Sequence, residues 1–497
     1  MQGHTLMKNT ARRIPFGGFT FIAPLFLGLA LVGGCAHTPA QPGQAVAATK
    51  SPKKTEELAK FPIPAMHTHV YSGTLDNGLS VYIIPRPDLP VVSFRIGLRA
   101  GSADDPHDKG GTASLAASLL GRGTTSHDAL SLFRIIDASG GSLDVSANRD
   151  LTIVSGDSLT TETPTLLGLA SEMVRSPSFP QAEFENKKAS FTASLIDSES
   201  HPGPMGSNLF YKLVFGNGPY GHPAFGTSDS VSRITREDLA AFARDHYRPD
   251  RAALVLVGDI TPATGMDLAK KYFGAWTAPP GTAPEQDAGT AAAPPVVSGA
   301  YLLDKPELRQ ATVFYGTRGI ARNDPAFYNT LVFDMILGGS NTSTLNHIIR
   351  QKQGLVYYIH TGLVAERHPG PFIVNFQTHA PNTRKVLSSM NRILDQSTKT
   401  LPSQKKVDSV KSYLVGGFPF LMNTTPKLAS LILVIWSYNL GMTYFTDYPA
   451  NVQAVTPATV ARAGESLLKG KSFVTVIVGP AKTLKKSGIV ARPAPAS

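Results

Sequence analysis

The sequence predicts an α+β protein made of two homologous halves, each an antiparallel-rich sheet covered by helices. Three observations carry this. First, Tyr82 to Pro106 lies on Tyr301 to Pro325 without a gap, at an offset of 219 and with seven of 25 positions identical. The identities are Tyr82/Tyr301, Pro87/Pro306, Leu89/Leu308, Gly97/Gly316, Arg99/Arg318, Asp105/Asp324 and Pro106/Pro325. Second, the match returns at an offset of 221, where Ile234-Thr235 meets Val455-Thr456 and Val257-Gly258 meets Val478-Gly479. Two windows at nearly one offset mark a duplication. Third, strand patterns precede and follow a helical block, which is the α+β order.

The elements follow in chain order. Lys8, Arg12 and Arg13 precede an apolar stretch from about Phe19 to Val32. That is shorter than the roughly 20 residues of a spanning helix, and it has the layout of a signal peptide over 1–34. It ends in Val32-Gly33-Gly34-Cys35, which resembles a bacterial lipobox in which Cys35 is lipidated. Ala36 follows in place of the aspartate that retains lipoproteins in the inner membrane, so the expected location is the outer membrane, facing the periplasm. Residues 35–62 are rich in Ala, Pro, Gln, Thr and Lys and read as a flexible tether.

The first folded half is expected over 63–278. Leu79–Pro85 and Val91–Arg99 have strand patterns, Gly111–Leu120 and Leu130–Ser139 read as helices, and Val145–Leu159 reads as one strand. Thr161–Val174, Ala182–Asp197 and Thr235–His246 read as helices, and Leu254–Gly258 as a short apolar closing strand. An Ala/Pro/Gly/Thr-rich linker follows over 279–298, and the second half runs over 299–490. The run Leu428–Trp436 is read as core.

Composition narrows the function. At 497 residues, 42% hydrophobic and 17% charged, the chain can bury two or more real cores. Cys35 is the one cysteine, which excludes intrachain disulfides and cysteine-rich metal sites. The net charge is +11, of which residues 1–34 supply +3, and the rest is spread without a dense basic stripe, so no nucleic-acid partner is expected. His67 and His69 have no third ligand nearby in sequence, and Gly470-Lys471-Ser472 has Glu465 where a phosphate loop begins with glycine.

Several motifs together resemble the insulinase/pitrilysin family, which includes the mitochondrial processing peptidases. These are Leu75-Asp76-Asn77-Gly78-Leu79, Pro219-Tyr220-Gly221-His222-Pro223 with Gly226-Thr227, and Tyr247-Arg248-Pro249-Asp250. In the second half, Leu337-Gly338-Gly339-Ser340 leads through Leu345 to Arg350, Gly354 and Tyr357. The resemblance covers about residues 72–485 and implies that the two halves form one half of a clamshell.

Active members carry His-x-x-Glu-His on the helix after the second strand. Histidines at i and i+4 leave one helix face toward zinc, and the glutamate polarises bound water. Here Ser114, Ala117 and Ser118 fall at those positions, and the family's downstream glutamate ligand falls near Ser194. A neutral hydroxyl is a poor zinc ligand and alanine carries no base. No cofactor is therefore expected in this chain.

The family's second half holds the substrate carbonyl with an arginine and a tyrosine, which match Arg350 and Tyr357. Gly354 is expected to end the Arg350 helix with a left-handed residue. Tyr358 is a competitor for Tyr357 but points to the opposite sheet face. Some bacterial members divide the work between a zinc-bearing chain and an Arg/Tyr-bearing chain that enclose unfolded peptides. The resemblance thus implies a zinc-less subunit, inactive alone, with zinc on a homologous partner chain. The alternative is an inert structural or peptide-binding lipoprotein of the same fold. An independent hydrolase has no visible nucleophile–base motif to support it.

Overall fold

The computed structural model describes residues 69–279 and 294–495. The expected signal peptide, the tether with Cys35, and residues 280–293 of the expected linker lie outside the described residues.

The first half opens with β1 (Tyr71–Thr74), β2 (Ser80–Pro85), β3 (Val91–Leu98), α1 (Thr112–Leu119) and α2 (Ala129–Ala138). It continues with β4 (Ser142–Ala147), β5 (Thr152–Leu159), α3 (Thr163–Arg175), α4 (Gln181–Ser200) and α5 (Pro202–Phe215). It closes with α6 (Ser228–Ser232), α7 (Arg236–His246), β6 (Ala252–Gly258) and α8 (Pro262–Phe273). The second half opens with β7 (Gly299–Asp304), β8 (Gln310–Arg318), α9 (Phe327–Leu337), a π-helical segment Asn346–Lys352 and β9 (Val356–Leu363). Then come β10 (Pro371–His379), α10 (Thr383–Lys399), α11 (Gln404–Gly417), α12 (Thr425–Ser437) and α13 (Tyr444–Ala454). The half ends with α14 (Pro457–Leu468), β11 (Val474–Gly479), α15 (Ala481–Lys486) and β12 (Arg492–Pro493).

Two six-stranded sheets result, ordered β1-β2-β6-β3-β5-β4 and β12-β7-β11-β8-β10-β9. The pairs β2–β6, β7–β11 and β7–β12 are parallel and the others antiparallel, as an antiparallel-rich sheet requires. One expected element is corrected: Val145–Leu159 is not a single strand. The Asn148 side-chain oxygen accepts the N–H groups of Asp150 and Leu151 at 2.9 and 2.8 Å. This local turn reverses the chain and makes β4 and β5 a hairpin, a choice the apolar pattern does not encode.

The two halves exchange a helix. α5, from the first half, packs on β8 and β11 of the second sheet, and α12, from the second half, packs on β3 and β6 of the first. At the offset of 221, α5 falls on residues 423–436, so α5 and α12 are equivalents in the duplication. The physical need is visible in the strands. Every residue of β6 is buried, and so is every residue of β3 after Val91, which means both sheet faces are covered. Helices of the same half cover one face, and the borrowed helix covers the other.

The repeated residues serve this exchange. Arg99 donates to the Trp436 carbonyl at 3.0 Å and lies 4.6 Å over the Trp436 ring, at the last turn of α12. Arg318 donates to the Val214 carbonyl at 3.0 Å and lies 5.6 Å from the Phe215 ring, at the last turn of α5. Each arginine thus satisfies end carbonyls of the helix that the other half supplies. Gly97 and Gly316 make room beside it. A Cβ on Gly97 would lie 2.3 Å from Leu433 Cδ1, and one on Gly316 would lie 2.1 Å from the Phe372 carbonyl oxygen and 2.9 Å from Phe210 Cζ. A side chain yields more readily than backbone. Both alanine variants are expected to lose about 1–3 kcal/mol, with Gly316→Ala at the upper end, read as a fall in the urea midpoint. Equal midpoints for wild type and Gly316→Ala would contradict the close approach of Phe210 and of the Phe372 carbonyl to Gly316.

Candidate functional site

Of the positions aligned with the zinc motif, Ser114, Ala117 and Ser118 lie on α1 and Ser194 lies on α4, which packs against α1. Asp105 seats α1 by accepting the N–H groups of Gly111 and Ala113, both at 2.7 Å. Gly111 can start the helix because its φ of 98° is open to glycine. Ser114 is buried, and its hydroxyl donates to the Ala224 carbonyl at 2.7 Å. Ala117 is buried. The Ser118 hydroxyl donates to the Leu115 carbonyl at 2.7 Å, and that of Ser194 to the Ser190 carbonyl at 3.0 Å. The nearby Glu199 is committed to capping α6, accepting the Ser228 N–H and hydroxyl at 2.7 and 2.6 Å. Phe225, next to the Ala224 carbonyl, sets its ring 6.2 Å from that of Phe191 on α4.

This donor set does not fit zinc. The three hydroxyls point their protons at carbonyls, and the position of the base is a buried methyl group. Among the described residues no group of three or more His, Cys, Asp or Glu side chains is placed to hold a metal ion.

The second predicted site is built differently. α9 ends at Gly338, after which the chain turns through Gly339 into the π-helical segment. Leu345 and Ile349 are fully buried and anchor that segment. Its wide register shows in the Gln353 N–H, which donates to Ile348 at 3.0 Å, five residues back. Arg350 lies in the last turn and is exposed. Gly354 then takes φ +61°, the left-handed ending expected of it, and donates to the Arg350 carbonyl at 3.1 Å. β9 starts two residues later, with Tyr357 56% exposed. Among the described residues neither Arg350 nor Tyr357 has a side-chain hydrogen bond or ion pair within the chain.

Tyr358, on the other face, is half-buried and stacks on His360 with ring centroids 5.5 Å apart. Burial raises the pKa of its phenol and lowers that of the His360 imidazole. Arg350 and Tyr357 therefore present a fork of charged N–H donors and a phenolic O–H, both uncommitted, beside an edge strand of the second sheet.

A separate cleft in the first half, lined by Arg175, Phe179, Arg244, Tyr247 and Trp276, contains none of the predicted site residues. Among the described residues no single helix is long and apolar enough to cross a membrane.

Sequence reading did not find a buried acidic cluster where the halves meet. Its members, Asp150 and Glu366, come from turns 216 residues apart in the chain. The available signal was an acid next to an arginine in each turn, Arg149-Asp150 and Glu366-Arg367.

Comparison with known proteins agrees with this anatomy. Residues 81–228 match the family model described as insulinase (peptidase family M16), and residues 233–414 match that described as peptidase M16 inactive domain. The chain is 24% identical over 422 residues to an uncharacterized zinc protease of Streptomyces coelicolor, covering 83% of this chain and 90% of that one. It is 21% identical over 352 residues to the uncharacterized zinc protease YmxG of Bacillus subtilis, covering 71% and 84%. Among solved structures it resembles a peptidase M16 inactive domain from Pseudomonas fluorescens, with TM-score 0.76, 25% identity and 85% and 99% coverage. A protease from Helicobacter pylori has the same fold, with TM-score 0.77, 19% identity and 83% and 100% coverage. With one family's models spanning both halves, this chain belongs to the insulinase peptidases, family M16, and its C-terminal match is to that family's inactive domain.

Proposed function

We propose that this chain is the zinc-less subunit of a two-chain peptidase of the bacterial cell envelope. It supplies substrate-binding and oxyanion-stabilising donors to a zinc-bearing homologue. One observation carries the reading: Arg350 and Tyr357 are exposed and uncommitted, while Ser114, Ala117 and Ser118 have lost every metal-binding group.

A peptide carbonyl that gains negative charge during hydrolysis is stabilised by preorganised donors, and a guanidinium with a phenol approaches it from two angles. β9 is an edge strand, so its outer backbone groups are open to an extended peptide beside Tyr357. Unfolded peptides are the substrate class that suits such an edge. Lipidation at Cys35 would hold the chain to the outer membrane, facing the periplasm, through the 35–62 tether.

The test is affinity purification of the full chain from its native envelope. A co-purifying homologous chain with His-x-x-Glu-His and about one zinc per complex is the expected result. Peptidase activity should appear with both chains and with neither alone. Recovery of the chain without any such homologue would favour the inert structural or peptide-binding lipoprotein.

A further inference from the structure

Two turns meet where the halves join. The β4–β5 turn brings Arg149 and Asp150, and the β9–β10 turn brings Glu366, Arg367 and His368. Tyr220 and Tyr438, which follow the two exchanged helices, complete the cluster.

Asp150 is 4% exposed and well supplied with donors. The Tyr220 hydroxyl donates to one oxygen at 2.6 Å, and the Arg367 N–H, across the junction, donates to the other at 3.0 Å. Burial and the charges of Asp150 and Glu366 push up the pKa of the Tyr438 phenol, which keeps its proton beside them. The Tyr220 oxygen in turn accepts the His368 N–H at 3.0 Å, a second bond across the junction.

Glu366, 7% exposed, is served otherwise. Its Oε2 is buried without a hydrogen-bond partner, although its backbone carbonyl accepts the Arg322 N–H at 2.8 Å. The cations around the pair are largely engaged elsewhere. Arg149 lies 4.2 Å over the Tyr211 ring and 5.6 Å from that of Tyr220, and donates to the His222 carbonyl at 3.0 Å. Arg322 donates to the Tyr444 hydroxyl at 2.9 Å. The His368 ring packs edge-on against Tyr220.

Two buried carboxylates on turns that touch each other cannot both ionise cheaply. The one with two donors keeps the charge, and the one with an orphaned oxygen keeps the proton. We propose that Glu366 stays protonated beside ionised Asp150, and that this single proton latches the first half's β4–β5 turn to the second half's β9–β10 turn.

The electrostatics support the assignment. Burial raises both carboxyls; at Asp150 the Arg367 N–H and the Tyr220 hydroxyl oppose it, whereas at Glu366 the Asp150 charge adds to it, with Arg149 opposing, and pushes the carboxyl up to about 8. An unfolded glutamate titrates near about 4.3, so folding takes up one proton between those values. The latch's contribution is fully present below the unfolded value. It declines by about tenfold in the folding equilibrium per pH unit as pH rises, and is gone above about pH 8.

The experiment uses the full wild-type chain. Infrared titration should show a carboxylic-acid band that disappears with a midpoint near about pH 8 and is absent in Glu366→Gln. Amide exchange is the second readout, after correction for the intrinsic rate. The Arg367 and His368 amides of wild type should lose protection about tenfold or more between about pH 7 and pH 9, and those of Glu366→Gln should not. Failure to find a band near that midpoint, or wild-type amides whose protection ignores pH, would overturn the latch. So would a Glu366→Gln protein with the wild-type pH profile. If Glu366→Gln fails to fold, the two wild-type titrations decide, since a merely structural glutamate would move neither.

Discussion

Arg350→Ala is expected to lower peptide turnover by the proposed two-chain complex about 10²–10³-fold while the chains still co-elute. The size follows from what the side chain can do. One donor to a developing oxyanion is worth roughly 3–4 kcal/mol when it is preorganised and desolvated by the bound substrate. Arg350 is preorganised by its backbone, since the buried Leu345 and Ile349 and the left-handed Gly354 fix the turn that carries it. Tyr357→Phe removes one O–H and nothing else, and should cost a comparable factor. Tyr358→Phe is the control, because that ring is committed to His360 on the other face of the strand. The loss should fall on kcat more than on KM, as for an interaction made in the transition state. Full activity in the Arg350→Ala, Tyr357→Phe double variant would leave the inert reading standing. Loss of co-elution would make the pair an assembly element instead.

Trp436→Ala is expected to remove about 3–5 kcal/mol of stability, a large share of what a folded chain usually has. The indole sits at the end of α12 under the Arg99 guanidinium, and its carbonyl accepts from that same arginine. Truncation leaves a cavity between the helix and the first sheet and removes a cation–π contact. The location of the damage is the sharper test. Trp436 belongs to the second half, yet amide protection should fall first in β3 and β6 of the first half, which α12 covers. Protection lost only in the second half would contradict the exchange.

Some of this was legible from residues alone. The duplication is written in repeated pairs such as Asp105/Asp324. Both turned out to serve the start of a helix, since Asp324 accepts the Ala326 N–H at 2.7 Å as Asp105 accepts those of Gly111 and Ala113. The poor fit of the zinc-motif positions to a metal was legible because it needs only the identities of Ser114, Ala117 and Ser118. The turn at Asn148 was missed because a side-chain-to-backbone hydrogen bond overrode an apolar pattern that runs through it.

By itself the sequence determined that there are two copies of one strand-and-helix unit, which faces of them are apolar, and that Ser114, Ala117 and Ser118 stand where the resemblance expects a zinc motif. It also marked Gly97/Gly316 and Arg99/Arg318 as shared, without saying for what. Only the tertiary structure decided that α5 and α12 change places, that those glycines and arginines receive the exchanged helices, and that Asp150 meets Glu366. The reason is physical. Hydrophobic burial is non-directional, so periodicity states that a face must leave water but not which surface covers it. A buried carboxylate pair arises only when folding closes a loop of more than two hundred residues, and no local pattern records that closure.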